Sequence, residues 1–430
     1  MTENLTAQTR IIIEVIGSGD NKRSVRRAVL LDTRRGLLCE LPTLYIYRNL
    51  GQKSHNTHLA ILRDLAFYLE WSLIKKSRNP KWITPETRVK NNSLALTRRE
   101  IDEFSNWCEL SSKELARIRS IDNTKIHSIP SSTLVDISTS NARLRNLCNY
   151  LIWLTQDFIE GVLNVDDNSL IKSEKYKNII YEAFEKNYKS DKKPAPVYSL
   201  DSNQTATFLQ AISSNSIFPN TNHGNRDKLI ARFLYETGLR SGECLKVTCT
   251  DIKYNYEIRP GKFINIIRVR HKPNDNADSR TKEPLSKTLS GDITVSKSLT
   301  SDLIKYITNE RRLAISSSSN IKEHPYLFVC HSGRTIGEPI SQRNLNRIIS
   351  KLKSLKEFPT WFSPHSLRHT HLTEIANIAH EKGKDVRSIL IQRGRWANTS
   401  TMPSRYSQRH IIDQAAELIE ERDRILDSLK

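Results

Sequence analysis

The sequence predicts a mainly α-helical protein with small β-sheets, an α+β fold. Apolar residues recur at intervals of three and four over most of the chain after residue 54, which is the periodicity of an amphipathic helix. Runs rich in β-branched residues are short and lie within 10–47 and 263–296. At 430 residues the chain is also long enough for at least two domains, each with its own core.

Residues 1–50 are predicted to form a small, basic, β-rich module. The runs RIIIEVIG and RRAVLLD flank the turn-like SGDNKR, and LLCELPTLYIY follows them. Five arginines lie close to these runs: Arg23, Arg26, Arg27, Arg34 and Arg35. The module could contact DNA or could be only a basic lobe, and the sequence favours neither.

Residues 51–185 are predicted to form a helical domain. Leucines recur close to every 3.6 residues in 57–76 and again in 138–162. Another helix begins behind Thr97, a residue type that caps helix N-termini. Trp71 and Trp153 are expected in the core of this domain.

Residues 186–200 are predicted to be an interdomain linker, because they are rich in Lys, Pro and Ser and have no hydrophobic periodicity. The remainder, 201–430, is predicted to be a second, α-rich domain with a small sheet. Its predicted helices cover 202–212, 226–248, 300–314, 341–355, 363–375 and 412–429, and its predicted strands cover 263–271 and 292–296.

The composition indicates a polyanionic partner. The chain has 67 Lys and Arg against 47 Asp and Glu, a formal charge of +20, and such an excess causes self-repulsion unless a partner neutralises it. Nucleic acid is the natural partner, and a basic surface serving only solubility is the alternative. The six cysteines form no C-x-x-C pair and no apolar run approaches the roughly 18 residues that span a bilayer, so we expect buried thiols and a cytosolic location.

The stretch SPHSLRHTHLTEI, residues 363–375, concentrates candidate functional side chains on one predicted helix. His365 and His369 have the spacing of a metal-binding pair, but Arg368 would place a positive charge beside the cation and no general base follows His365. His365 and Arg368 instead project from one face near the helix start, where both can donate to one phosphodiester. This arrangement favours a phosphate site and leaves His369 and His371 as packing residues.

Two further positions extend this candidate site. In YETGLRSGECLKV, Arg240 is followed three residues later by Glu243, which is within reach to orient it. After Arg368 the sequence contains a single tyrosine, Tyr406. A tyrosine oxygen can attack phosphorus where cations stabilise the developing negative charge.

The order Arg240, then His365-x-x-Arg368, then Tyr406 resembles the catalytic signature of the tyrosine recombinases, the phage integrase family. TGLRSGECL resembles the first arginine box of that family, HSLRHTHLTEI its His-x-Leu-Arg-His-Thr box, and RGRWANTSTMPSRY its last box. The resemblance is especially close to integrases of phages and of mobile, conjugative elements. It implies a catalytic domain over 201–430, a helical core-binding domain of the SAM-like type over 51–185, and a C-shaped clamp on DNA.

The resemblance also implies a site-specific recombinase that integrates or excises a mobile element. Tyr406 would attack the scissile phosphate to give a 3′-phosphotyrosyl enzyme and a free 5′-hydroxyl, without metal, ATP or another cofactor. Arg240 and Arg368 would clamp the nonbridging oxygens, and His365 would take part in proton transfer. A homotetramer would act on two double-stranded recombination sites in the bacterial nucleoid, with accessory DNA-bending factors left open.

Two positions of the implied site stay open at this point. The family has a His or Trp about nine residues before the nucleophile. Trp396, ten residues before Tyr406, is favoured there over Arg395. The family also uses a lysine on a β-hairpin to protonate the leaving 5′ oxygen, and the Lys-Thr pair favours Lys287 over Lys272 and Lys282.

Other classes of protein would use part of the same pattern. Type IB topoisomerases and telomere resolvases share nearly the same residues but act on one duplex or make hairpin ends, and the helical domain favours recombination over both. A catalytically silent DNA-binding protein and a zinc hydrolase are the remaining alternatives.

Overall fold

A computed structural model describes residues 7–16, 23–33, 35–111, 114, 134–158, 167–190, 198–272, 275, 278–285, 289–318, 324–406, 415, 418–420, 422 and 424. The chain divides into two compact units, Met1–Pro194 and Ala195–Lys430. This boundary falls inside the predicted linker, 186–200. The described residues are mostly helical and include two three-stranded antiparallel sheets, which confirms the predicted fold class.

The first unit combines a β-hairpin with a helical bundle. Its elements are β1 (Ala7–Ile16), β2 (Arg23–Asp32), β3 (Leu37–Leu38), α1 (Glu40–Asn49), α2 (His55–Arg78), α3 (Pro85–Lys90), α4 (Arg98–Cys108), α5 (Ile137–Trp153), a π-helical turn (Leu154–Phe158) and α6 (Asp167–Glu185). The strands pair in the order β1-β2-β3, with Ile11 opposite Ala28.

One hydrophobic core holds this unit together. Trp71 and Trp153 are both buried in it, as predicted, and Trp71 packs edge-on against Phe104 at 5.3 Å. Ala28 and Leu30 of β2 belong to the same core as the helices. The strands of the predicted N-terminal module therefore pack with the helical part of the unit. The boundary at residue 50 stays a prediction.

The second unit places a small sheet among helices. Its elements are α7 (Ser202–Ser213), α8 (Asn222–Thr237), α9 (Ser241–Lys246), a 3-10 turn (Cys249–Asp251), β4 (Ile252–Arg259), β5 (Lys262–Val269), β6 (Gly291–Val295), α10 (Lys297–Tyr306), a π-helical turn (Ile307–Arg311), α11 (Arg312–Ser316), 3-10 turns (Gly333–Thr335 and Lys351–Ser354), α12 (Gln342–Ser350), α13 (Pro364–Glu381) and α14 (Val386–Gly394). Helix α13 carries three side chains of the site described below, and α8 ends three residues before another of them, Arg240.

Three local predictions differ from the structure. Residues 40–49, predicted as part of a β-rich run, form α1, because Tyr45 and Ile46 bury against the helical core. The stretch 226–248 breaks after α8, where Gly238 takes a left-handed conformation. Residues 252–259 form β4, which pairs with β5 through a tight turn at Gly261.

The final predicted helix, 412–429, lies mostly outside the described residues. Within the described part of the chain, none of the helices has the length and apolar character that crossing a membrane requires.

Candidate active site

Gly238 ends α8 in a way that only glycine permits. Its φ of +61° is left-handed, and a Cβ at this position would lie 2.4 Å from a ring carbon of His371. The chain turns sharply here and continues into Arg240, which precedes α9 in extended conformation. The close approach of α8 to α13 therefore fixes the backbone position from which the Arg240 side chain extends.

Glu243 orients Arg240, as the spacing predicted. Its carboxylate accepts hydrogen bonds from the backbone nitrogen of Arg240 at 2.9 Å and from Nη1 at 3.3 Å. Glu243 is fully buried, whereas about a quarter of the Arg240 side chain is exposed. The guanidinium of Arg240 is thus anchored from inside and open to solvent outside.

Arg368 is the most enclosed cation of the site, with a side chain only 1% exposed. It extends from α13, where Pro364 occupies the first turn and the backbone nitrogen of Ser363 donates to Oγ of Ser366 at 3.0 Å. Nη1 donates to the carbonyl of Gly238 at 2.7 Å and Nη2 donates to the carbonyl of Gly394 at 3.1 Å. Burial, and then Arg240, lower the pKa of Arg368 to about 10, so it stays protonated at neutral pH.

Three arginines surround the single carboxylate of Glu243. Arg395 forms a buried ion pair with it, and Nη1 of Arg368 lies 4.0 Å from Oε2. With Arg240 the group carries three positive charges against one negative charge. Such an excess of cations at a partly open site attracts an anion.

Tyr406 lies within the electrostatic influence of this cluster. Its side chain is buried, and its ring stacks on Trp396 at 5.8 Å between centroids. Burial raises the pKa of the Tyr406 hydroxyl, and the charges of Arg368, Arg405 and Arg240 oppose that rise. The hydroxyl is therefore protonated at neutral pH and lies in the field of the arginines.

Trp396 and Arg395 face different partners. The Trp396 indole packs over Gly394, where a Cβ would lie 2.6 Å from the ring, and its Nε1 is buried with no hydrogen-bond partner among the described residues. The guanidinium of Arg395 turns to Glu243. Of the two candidates, Trp396 is thus the one that contacts Tyr406 and keeps a donor for a ligand.

The three histidines of α13 have different surroundings. His365 is exposed at the surface. Partial desolvation of its imidazole, and then the positive charges of Arg368 and Arg240, lower the pKa of this group. His371 hydrogen-bonds Arg393 at 2.9 Å and packs on Gly238, which agrees with its predicted structural role. His369 was predicted to be a packing residue as well, yet its Nδ1 lies 2.7 Å from the Tyr406 hydroxyl.

The sequence contained one signal for His369. It follows His365 by four residues, so the two side chains share a face of α13, and their ring centroids are 4.3 Å apart. The partner of His369 is 37 residues away, and no local pattern indicates that contact.

Lys287 lies outside the described residues, but both flanks of its segment are described. On one side, the carbonyl oxygen of Leu285 would be 2.4 Å from a Cβ on Gly242, two residues after Arg240. On the other side, the backbone nitrogen of Leu289 donates to the Arg395 carbonyl at 3.2 Å. The described residues on both sides of segment 286–288 therefore lie beside the site. Lys272 and Lys282 are both exposed.

A buried ionic network, which the sequence did not indicate, anchors the start of this segment. Lys246 of α9 contacts Glu283 and lies 3.2 Å from Asp278. Arg280 donates to Asp278 at 2.8 Å and to the Ile340 carbonyl at 2.9 Å. Burial acts to raise the pKa of Asp278, but the hydrogen bond and charge of Arg280, with Lys246, outweigh it and lower the pKa.

The chain is similar to known proteins of one family. The model of the phage integrase family matches residues 199–410. Transposase A from transposon Tn554 of Staphylococcus aureus is 28% identical over 192 residues, covering 45% of each chain. The tyrosine recombinase XerC of Listeria welshimeri is 26% identical over 176 residues, covering 41% of this chain and 48% of that protein.

The chain thus spans about half the length of the curated relatives it matches. Among solved structures, the Tn1549 transposon integrase in complex with transposon right end DNA aligns over 88% of this chain and 99% of that chain, at 16% identity and a TM-score of 0.48. XerA recombinase aligns over 64% of this chain and 82% of that chain, at 19% identity and a TM-score of 0.33.

Proposed function

We propose that this chain, whose residues 199–410 match the model of the phage integrase family, is a site-specific DNA recombinase that cleaves and rejoins strands through a 3′-phosphotyrosyl intermediate. The observation that carries this proposal is the position of the Tyr406 hydroxyl in a buried site that also holds Arg368 and Arg240. A nucleophile and two cations that can neutralise a phosphoryl transition state are the minimum that this reaction needs.

Each side chain has a role in the proposed reaction. Arg240 and Arg368 bind the two nonbridging oxygens of the scissile phosphate, and the free indole donor of Trp396 contacts one of them. His365, at the exposed start of α13, orients the phosphate and takes part in proton transfer. Glu243 holds Arg240 and Arg395 in place.

Lys287 is proposed to protonate the leaving 5′ oxygen. Support comes from the flanks of its segment, which contact the chain next to Arg240 on one side and Arg395 on the other.

Double-stranded recombination sites of a mobile element are the proposed substrate. The net charge of +20 suits a polyanion, and the relatives include a transposase of a transposon and a tyrosine recombinase. We propose integration or excision of such an element by a homotetramer in the bacterial cytosol, at the nucleoid. Accessory DNA-bending proteins and the DNA contacts of residues 1–50 belong to the same proposal.

A nicked suicide substrate tests the proposed chemistry. A duplex carrying the junction between the element and its host DNA, nicked beside the cleavage position, is expected to trap a covalent protein–DNA adduct and leave a free 5′-hydroxyl. Tyr406→Phe should form no adduct, because the variant keeps the ring but loses the nucleophilic oxygen. Tyr254→Phe, on the exposed face of β4, is the matched control and should cleave like the wild type.

Either of two results would contradict the proposal: an adduct that survives in Tyr406→Phe, or a 5′-phosphoryl linkage. Rapid relaxation of supercoiled plasmids that lack the junction would favour a type IB topoisomerase instead.

A further inference from the structure

His369 contacts the nucleophile, and none of the roles proposed above includes it. Its Nδ1 lies 2.7 Å from the hydroxyl oxygen of Tyr406, and the two rings are 5.6 Å apart between centroids. Burial raises the pKa of Tyr406, so the phenol is protonated and can donate this hydrogen bond to Nδ1. In that arrangement Nδ1 is the unprotonated nitrogen of a neutral imidazole whose proton is on Nε2.

We propose that His369 is the general base of the cleavage reaction and accepts the phenolic proton of Tyr406 at Nδ1. This inference rests on the proposed function. During cleavage the Tyr406 O–H bond breaks and an N–H bond forms, while the tyrosine oxygen bonds to phosphorus and the bond from phosphorus to the 5′ oxygen breaks. The leaving oxygen takes its proton from a separate acid, proposed above to be Lys287.

Rejoining runs the same transfers in reverse. A 5′-hydroxyl attacks phosphorus and gives up its proton to the group that acted as the acid. The bond between phosphorus and the tyrosine oxygen breaks, and Nδ1–H of His369 returns the proton to that oxygen. Protons and bonds balance over the cycle, and no added reactant is required.

The surroundings of His369 keep its imidazole unprotonated. Its side chain is 7% exposed. Burial, followed by His365, Arg405 and Arg368, lowers the pKa of the imidazole to about 3. A group with so low a pKa is unprotonated at pH 7. A phosphodiester bound among the arginines brings a negative charge that opposes their effect, so substrate binding raises the proton affinity of His369 when the base is needed.

The other histidines of α13 are less suited to this step. His365 lies at the exposed helix start beside the phosphate-binding arginines, and its ring contacts His369 edge-on at 70°. His371 is bonded to Arg393 instead. Within the described residues, His369 is the histidine that holds a hydrogen bond to Tyr406.

Two substitutions separate a base from a residue that only positions Tyr406. Asparagine in His369→Asn can still accept a hydrogen bond through Oδ1 but cannot take a proton, and His369→Ala can do neither. If His369 is the base, both variants lose about 100-fold or more in single-turnover cleavage of the nicked substrate at pH 7. In the variants hydroxide must replace the base, so their rate rises with pH. The ratio of the wild-type rate to the variant rate should then fall about tenfold for each unit by which the pH is raised. Ionisations that both proteins share cancel in this ratio.

The matched control is His371→Asn. His371 lies on the same helix, is 6% exposed, and has a pKa that burial and then Arg393 and Arg368 lower to about 3. The rate of cleavage by His371→Asn should depend on pH in the same way as the wild-type rate. A His369→Asn variant that cleaves within twofold of the wild-type rate, with an unchanged pH profile, would overturn the proposal.

A second measurement does not depend on cleavage. In nitrogen NMR of histidine-labelled full-length protein, His369 should show an unprotonated, hydrogen-bonded Nδ1, and Tyr406→Phe should shift that signal. A protonated Nδ1 in the free protein would also overturn the inference. Absence of any adduct from the wild type would contradict the proposed function, while the NMR result would still report whether the hydrogen bond exists.

Discussion

At the scale of single residues, the site depends on side chains that serve the fold and the proposed chemistry together. Arg368 joins Gly238 and Gly394 through their carbonyls, and its guanidinium carbon lies 5.5 Å from the centroid of the Trp396 ring. Two of its five N–H groups bind these carbonyls, and the proposed reaction assigns remaining donors to the scissile phosphate. A planar guanidinium can make both sets of bonds, but an ammonium group cannot.

Arg368→Lys should therefore lower single-turnover cleavage by about 100-fold or more, the usual effect of losing one donor to a developing oxyanion. Binding of the uncleaved duplex should fall only a few-fold, because the other cations persist. Arg311→Lys is the control, since Arg311 also bridges two backbone carbonyls, those of Tyr326 and His324. Equal losses of cleavage in both variants would show that the effect is structural.

At the scale of elements, close helix contacts and caps decide where the functional side chains lie. Helices α8 and α13 approach closely because Gly238 has no side chain to meet His371. In the first unit, α4 begins with a reciprocal cap in which Thr97 and Glu100 exchange hydrogen bonds. Each of these features gives a separate prediction about stability.

Gly238→Ala should destabilise the second unit more than backbone strain alone can explain. Gly261 provides the control, because its φ is +73° and a Cβ there would have nothing within 4 Å. Gly261→Ala is expected to cost about 1 kcal/mol in the free energy of unfolding. Gly238→Ala adds the collision with His371, so urea denaturation should give at least twice that loss, together with reduced cleavage. Similar losses for the two variants would contradict the proposed role of the close contact.

Because of Glu100, the first unit should become less stable as the pH falls into the acidic range. It accepts two hydrogen bonds of 2.7 Å from Arg88 and one of 2.6 Å from Trp82. Burial acts to raise the pKa of Glu100, but these bonds outweigh it and lower the pKa from 4.5 to about 2. Because the pKa is lower in the folded state, the stabilisation is complete above pH 4.5 and is lost as the pH falls towards 2.

A pKa difference of this size corresponds to roughly 3 kcal/mol, so Glu100→Gln should lose about that much stability at pH 7 and lose this pH dependence. Denaturant unfolding at several pH values measures both effects. Glu103→Gln, which breaks a more exposed pair with Lys75, should cost less than about 1 kcal/mol. A Glu100→Gln variant as stable as wild type at pH 7 would disprove the argument.

At the scale of the whole molecule, each unit has a hydrophobic core of its own. The core of the first unit includes Tyr68 and Trp153, and that of the second includes Phe233 and Phe362. The boundary after Pro194 lies in the segment whose composition predicted a linker. A division at this point cuts neither core.

Residues 1–194 and 195–430, expressed separately, should therefore each fold and unfold cooperatively in urea. A fragment that begins at residue 221 is the comparison, because it lacks α7 and removes buried Phe208, whose ring packs on Tyr235 at 5.3 Å. That fragment should lose several kcal/mol relative to 195–430, since deleting one large buried side chain already costs about 3 to 5 kcal/mol. Failure of 195–430 to fold alone would show that the second unit depends on the first.

Much of the fold and part of the candidate site could be predicted from local sequence. Helices α2, α5 and α13 follow from apolar periodicity, because a helix must turn one face to a core whatever that core contains. The contact between Arg240 and Glu243 follows in the same way, since residues three apart at a helix start are neighbours. The break at Gly238 and helix α1 were missed, because each depends on packing against a distant element.

The sequence by itself determined the identity, order and spacing of Arg240, His365, Arg368 and Tyr406, and so the family and the proposed chemistry. Only the tertiary structure decided which partners these residues meet. It separated Trp396, stacked on Tyr406, from Arg395, paired with Glu243. It also placed His369, predicted to be a packing residue, in a hydrogen bond with Tyr406, which lies 37 positions away in the chain. Contacts of this kind depend on how several elements pack at once, and no periodicity within one segment records them.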